Sequence, residues 1–445
     1  MELSFLHFIT VLAVSITSIV VLTVRYKLNA FFALIAACFM VGFGTFMPVS
    51  VIMDTIKAGF GNILKSLGLL IITGTTLGIF LEKSGSAGVM ADFILKKTGK
   101  ERSPLALSLT GFVVGLPVFC DSGYIVLSGL AKSLARQTQI RMILLAGSLS
   151  TSLYAVHCLL PPHPGMSAAA AQLDINFGIL IITGLFFAIP AAATGYFWTL
   201  YSGKKIHTDE LTSTEIEEAP YTETESRRPS TLMAFLPVFI PIFLMMLKPI
   251  IQNLEPDPTS LIAQLFVTLG DPVIALAMGI TVVLFNFHSQ DSQQVLQESV
   301  EKSGIILVII GAGGSFGAIV AALNPAQFFE TLQISEHWAL LLFFGCAAVL
   351  KTAQGSSTVA IITTASLMFP LFPALEIISE TQRIWAVLAM GAGSMAVSLP
   401  NDSYFWVISR FSGLETGQML RVYSVGTFLM AGVTLILVMI ASAIF

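Results

Sequence analysis

Charged side chains are scarce in this 445-residue chain, 11% against roughly 25% in an ordinary soluble domain, and that scarcity excludes a wholly water-facing surface. Its 22 basic and 26 acidic residues leave a net charge of −4. Many of both lie in connecting segments, so there is no basic face for nucleic acid. Only four cysteines occur, Cys38, Cys120, Cys158 and Cys346, all in apolar stretches and without paired spacing. Neither a disulfide framework nor a zinc site is indicated. No G-x-x-x-x-G-K-[ST] run is present, which removes ATP hydrolysis as the energy source. An H-x-x-x-H or H-E-x-x-H metal motif is missing too: His157 and His163 are separated by Pro161 and Pro162 and do not share a helical face. No cofactor is expected.

What the chain has is hydrocarbon. Hydrophobic residues make up 55% of it, and several apolar runs approach the ~20 residues needed to span a bilayer. The expectation is an all-α polytopic membrane protein with crossings at 5–24, 28–48, 67–83, 141–159, 177–201, 231–248, 263–286, 303–322, 384–399 and 418–443. With no basic region or A-x-A-like site before it, the first segment is expected to be a retained helix and not a cleaved signal. Regions 103–135 and 338–370 are apolar but broken at Gly/Pro/Ser turns, which fits re-entrant hairpins better than full crossings. Ten crossings and two hairpins result.

Lys and Arg set the orientation. Arg25, Lys27, Lys96, Lys97, Lys100, Arg102, Arg136, Arg141, Lys204, Lys205, Arg227 and Arg228 fall on one side of this map, hence the cytoplasmic side of the inner (cytoplasmic) membrane. Both termini are then expected outside. Segment 202–230, with Glu215, Glu217, Glu218, Glu223 and Glu225, reads as a cytoplasmic polar linker between halves 1–201 and 231–445.

The halves look alike. Gly78 falls opposite Gly317, Ser122 opposite Ser356, and His157 opposite Ser398, at offsets that differ only by small gaps. With five crossings each, the second half is expected to be inverted relative to the first, the architecture of secondary transporters. Substrate then sits near the midplane, where interrupted helices meet.

Four interruptions form the candidate site: GLPVFCDSGY (Gly115 to Tyr124), VHCLLPPHPG (Val156 to Gly165), KTAQGSSTVA (Lys351 to Ala360) and SLPNDSYFW (Ser398 to Trp406). Half-helices starting at such breaks present unpaired N–H groups and a positive dipole end, suited to a carboxylate. Candidate substrate-binding residues are Asp121, Ser122, Gln354, Gly355, Ser356, Ser357, Thr358, Asn401, Asp402 and Ser403. Asp121, His157 and His163 are candidates for exchanging a proton. Plainer readings stand beside these. Asp121 and Asp402 also suit N-caps, and the histidines suit carbonyls freed by proline. Lys351 either snorkels or neutralises an anionic substrate. Glu82 reads as an end charge paired with Lys83, and GAGGSFG (Gly311 to Gly317), lacking a preceding strand, as close helix packing instead of a dinucleotide loop.

The segments LEKSGSAGVMADFILKKTGK, LTGFVVGLPVFCDSGYIVLSGLAKSLA, HCLLPPHPGMSAAAAQLDINFGILIITGLFFAIPA, LKTAQGSSTVAIITTASL and GAGSMAVSLPNDSYFWVISRFSGLETGQML resemble the gluconate permease family of the wider ion transporter superfamily. The likeness runs from about Leu67 to the C-terminus, the linker excepted. It implies a proton symporter for gluconate or a related small hydroxy or sugar acid, built from inverted repeats with hairpins. Some members carry D-serine or other acids, so the family does not settle the substrate. Two positions depart from its commoner pattern: Ser122 follows Asp121 where a small apolar residue is usual, and Leu399-Pro400 stands where His-Val often precedes Asn-Asp-Ser. Both fall in the candidate site.

The mechanism expected is alternating access, with sodium coupling left open because broken-helix carbonyls also form sodium sites. The expected partners are a small carboxylate, a proton and lipid, and the large scaffold the family implies is consistent with a homodimer. A membrane-embedded enzyme using His157, His163 and Asp121 is disfavoured by the histidine spacing, and a channel by two dead-end hairpins.

Overall fold

The computed structural model of the protein describes residues 5–26, 28–205, 229–254, 260–285, 289–323, 336–400 and 402–444, and among them every regular element is helical. A helix satisfies its own backbone polar groups, which hydrocarbon requires. The first half comprises α1 (Phe5–Val24), α2 (Ala30–Gly44), α3 (Val49–Lys83), α4 (Ser86–Thr98), α5 (Ser103–Gly115), α6 (Cys120–Thr138), α7 (Met142–Leu159), α8 (Pro164–Gln172) and α9 (Phe177–Lys205). The second comprises α10 (Thr231–Leu254), α11 (Leu261–Leu269), α12 (Pro272–Leu284), α13 (Ser289–Ala322), α14 (Glu336–Gln354), α15 (Ser357–Met368), α16 (Glu380–Met395), α17 (Ser403–Ser412) and α18 (Thr416–Ile444). Most of the linker, 206–228, lies outside the described residues.

Among the described residues five helices are long and apolar enough to cross a bilayer alone, or six if the bent pair α11–α12 is one span. The other expected crossings fall on shorter, longer or less apolar helices, and the count of ten spans stays an expectation. Two expectations need correction in detail. The span expected at 67–83 is the end of the 35-residue α3, roughly 52 Å long at 1.5 Å per residue. Asp54, Lys57, Asn62 and Lys65 lower the hydropathy of its first half, yet no proline interrupts it. The span expected at 263–286 bends by 78° between α11 and α12. There Pro272 begins α12 and Asp271 caps it, accepting a hydrogen bond from Val273 N at 3.0 Å.

The 34-residue α13 matches α3 and packs along it more extensively than any other helix pair. The two run antiparallel: Gly59 lies against Gly314, whereas Lys83 meets Glu298 at 2.6 Å. A Cβ on Gly59 would lie 2.6 Å from the Gly314 carbonyl oxygen, and Ser315 Oγ donates to Ile56 O at 2.9 Å. Gly311 to Gly317 is therefore a close-packing surface, as the sequence suggests. The Glu82–Lys83 pairing is corrected. Lys83 instead reaches Glu298, which also holds Lys302 at 2.7 Å.

Each half repeats one order of elements. A long helix (α3 or α13) is followed by a hairpin (α5–α6 or α14–α15), a broken helix (α7–α8 or α16–α17) and a closing apolar helix (α9 or α18). Gly78 and Gly317, matched in the sequence, each touch a hairpin. A Cβ on Gly78 would lie 2.9 Å from Pro117 O, and one on Gly317 3.0 Å from Ser366 O.

The broken helix is central: 94% of the apolar window in 142–172 is buried, against 28% in 416–444. Exposed Phe186, Ile189 and Phe197 of α9, with Phe428 and Ile436 of α18, form the apolar outer face that hydrocarbon, not water, solvates.

Candidate functional site

All four interruptions converge on one cavity of about 230 Å³, below the ~300 Å³ typical of sites for drug-sized ligands and suited to a small metabolite. Phe119, Cys120 and Asp121 reach it from the first hairpin, and Tyr154, His157 and Pro164 from the first broken helix. Gly355 to Val359 and Ile362 come from the second hairpin, Asp402, Ser403 and Tyr404 from the second broken helix, and Ile306 and Ile309 from α13. Four helices, α6, α8, α15 and α17, thus bring their first turns to its wall. First-turn N–H groups have no partner within their own helix and carry the positive end of its dipole, so the wall favours an anion.

The breaks arise locally. Pro117 follows the end of α5, and α6 restarts at Cys120 with Phe119 in the cap position and no side-chain cap. In the second hairpin Gly355 takes φ +76°, a left-handed conformation that glycine adopts without a Cβ penalty. Ser356 then caps α15 by accepting from Val359 N at 3.3 Å. Asp402 caps α17, accepting from Tyr404 N at 3.0 Å.

The carboxylates that line the cavity differ. Asp402 is 4% exposed, and its Oδ2 lies 2.5 Å from Lys351 Nζ and accepts the Ser398 hydroxyl. Lys351 also donates to Gly355 O at 3.1 Å and lies 5.7 Å over the Tyr154 ring. At 1% exposure it does not snorkel, and its charge is taken up by Asp402. Asp121 lies in the first turn of α6 without capping it, and among the described residues its buried Oδ1 has no hydrogen-bond partner. A buried carboxylate oxygen left so is costly unless something else supplies the partner.

The histidines divide similarly. His163 Nε2–H donates to Gly115 O at 2.7 Å, which assigns that tautomer, and the ring is not on the cavity wall. His157 is on the wall. Its Nε2 lies 3.4 Å from Thr358 Oγ1, its Nδ1 is unpartnered among the described residues, and its ring stands 4.7 Å from that of His163. Tyr154 stacks on His157 with the planes 12° apart.

Of the sequence candidates, the cavity gathers Asp121, His157, Gly355, Ser356, Ser357, Thr358, Asp402 and Ser403. Ser122 and His163 are not on its wall, and Ser122 lies beside Glu82 of α3. The side chain of Gln354 and the whole of Asn401 lie outside the described residues. Sequence reasoning missed Phe119, Tyr154, Pro164, Tyr404 and the isoleucines of α13 as lining residues. Tyr154 was findable, since it lies three residues before His157 on one helix face. Ile306 and Ile309 carry no such signal. Among the described residues no group of three or more His, Cys, Asp or Glu is placed to hold a metal ion.

The profile of the GntP family permease matches residues 7–444. The chain is 32% identical over 441 residues to a gluconate permease of Pseudomonas aeruginosa, covering 97% of this chain and 96% of that one. It is 28% identical to the Gnt-II system L-idonate transporter of Escherichia coli K12 (93% and 94% covered) and 29% identical to the D-serine transporter DsdX of the same strain (96% and 96%). Among solved structures, the YdaH transporter of Alcanivorax borkumensis is similar in fold, with a TM-score of 0.60 at 14% identity over 89% of both chains.

Proposed function

The chain belongs to the GntP permease family, and from that premise we propose that it is a proton symporter for gluconate or a related small hydroxy or sugar acid. The coarser part is plain: it is a multi-pass membrane transporter of small acids and not an enzyme. The finer part rests on one observation, the unpartnered Asp121 carboxylate in a cavity ringed by helix N-termini.

The physics is a matter of charge. The helix ends attract the substrate's carboxylate, while an ionised Asp121 repels it across a short distance of low dielectric. A proton on Asp121 removes the repulsion and turns the oxygen into a donor. Proton and anion then each favour the other's binding, which is the thermodynamic content of symport. Ser356, Ser357 and Thr358 offer hydroxyls to the polyol of a sugar acid, and His157 is the second group on the wall able to take the proton. The antiparallel α3 and α13 and the repeated order of elements support a reading as inverted halves that alternate access to a shared site. In that reading both termini lie outside the inner membrane.

Asp121 also favours a second substrate reading. An ionised Asp121 pairs with an ammonium, and one relative is named a D-serine transporter. Uptake of labelled gluconate into proteoliposomes under an imposed pH gradient, with D-serine, glycerate and sugar acids as competitors, separates the two. Gradient-dependent uptake competed by sugar acids and lost in Asp121→Asn is the expected result. Best competition by D-serine moves the substrate, and uptake that follows sodium overturns the proton coupling.

A further inference from the structure

A buried ion pair is tolerated only where geometry and further hydrogen bonds satisfy both ions, and removing one partner strands the other charge. Lys351 and Asp402 meet that condition. The ammonium has Asp402 Oδ2 at 2.5 Å, Gly355 O at 3.1 Å and the Tyr154 ring face at 5.7 Å. The carboxylate has Lys351, the Ser398 hydroxyl and Tyr404 N. Ser398 is held in turn, its amide N donating to Thr427 Oγ1 at 3.3 Å and its carbonyl accepting the Ser424 hydroxyl. One pair therefore ties the end of α14, the left-handed turn before α15, the first turn of α17 and α18. Asp402 lines the cavity and Lys351 does not.

We infer that Lys351 is a positioning residue that sets the charge of the substrate site. By neutralising Asp402 it leaves Asp121 as the one cavity carboxylate whose protonation decides whether an anion is admitted, and by holding Gly355 it keeps the second hairpin in register with α17. This rests on the reading of the cavity as a small-carboxylate site. The titratable groups facing the pair are Cys120 and Asp121 of α6, Tyr154, His157 and Cys158 of α7, and Tyr423 of α18. Of these only Asp121 is a carboxylate.

Two single substitutions should act in opposite directions. Lys351→Met strands a second negative charge beside the anion. Asp402→Asn preserves a capping oxygen for Tyr404 N but strands a positive one. The double variant is neutral again. The experiment is equilibrium binding of labelled gluconate to the full-length protein in nanodiscs, from mildly acidic to mildly basic pH. Lys351→Met is expected to bind roughly tenfold more weakly or worse at neutral pH and to recover on acidification. Asp402→Asn is expected to bind at least as tightly as wild type at neutral pH with a flatter pH profile, and the double variant to return to within roughly threefold of wild type. Equal losses in both single variants with unchanged pH profiles, or a double variant no better than Lys351→Met, overturn the inference and leave a purely structural pair. Should Lys351→Met fail to reach the membrane, Asp402→Asn still decides: binding at least as tight as wild type with a flatter pH profile upholds the inference, and weaker binding at neutral pH overturns it. Wild-type protein that binds neither gluconate, glycerate nor D-serine overturns the carboxylate-site reading instead. Wild-type binding matched by all three variants overturns the charge-setting role alone.

Discussion

The two halves make the same interruptions and finish them differently. In the second, Ser356 and Asp402 cap the restarting helices with their own side chains, and Asp402 is neutralised by Lys351. In the first, Phe119 and His163 stand in the cap positions without a side-chain cap bond, and among the described residues Asp121 Oδ1 and His157 Nδ1 have no partner. The same cavity thus has one wall whose carboxylate and helix caps are satisfied by the protein and one that, in the proposed reading, leaves a carboxylate oxygen and an imidazole nitrogen for cargo. A binding site that must release its ligand needs both, since a fully satisfied wall has nothing to offer and a fully open one would not hold its shape.

The strongest way to break this comparison is to part the helices that carry both walls. Gly59→Leu drives a side chain into the Gly314 carbonyl, 2.6 Å from where its Cβ would stand, and backbone cannot yield as a side chain can. The expected loss is about 3 kcal/mol or more, read as little folded protein in the membrane fraction. Next comes the open wall. Asp121→Asn is expected to insert and melt like wild type but to lose gradient-driven uptake by roughly a hundredfold; normal uptake would make the unpartnered carboxylate incidental.

Smaller effects belong to the satisfied wall. Gly355→Ala, at φ +76°, is expected to cost about 1–2 kcal/mol and to weaken substrate binding. Gly413→Ala, at φ +66° after α17 and off the cavity wall, carries a similar stability cost. Its substrate affinity should stay unchanged, so thermal melts and binding curves measured side by side separate strain from site. Ser356→Ala removes one cap at about 1 kcal/mol together with one hydroxyl of the cavity wall, visible as a lower melting temperature and a several-fold weaker substrate affinity. Smallest is His163→Gln, because an amide N–H can replace the ring donor to Gly115 O. Its transport rate is expected within roughly threefold of wild type, and a complete loss would return His163 to the proton path.

Much of the architecture was legible because hydrophobic runs and helix breakers act locally. Both hairpins, the Pro-rich break after His157 and the helix-packing role of Gly311 to Gly317 follow from Pro117, Pro161, Pro162 and the glycines alone. The length of α3 and α13 was not legible, since polar residues in their first halves hide helices that are stabilised by packing on each other. The bend at Gly270–Asp271 was legible in Gly270-Asp271-Pro272, a cap residue between two helix breakers, although the expectation of one span at 263–286 passed over it. Within the site, residue type named the candidates but not their partners.

The sequence by itself determined the solvent this protein lives in, the repeated order of its helices and the four places where they stop, because each depends on composition or on a breaker residue within a few positions. Which groups at those stops are spent on one another was decided only by the tertiary structure. Asp121 and Asp402 look alike in the chain, each a few residues after a proline and just before a serine. Only folding brings Lys351, 51 positions from Asp402, within 2.5 Å of its carboxylate and brings no partner to Asp121 Oδ1. The difference is long-range because charge neutralisation acts through space and not along the chain.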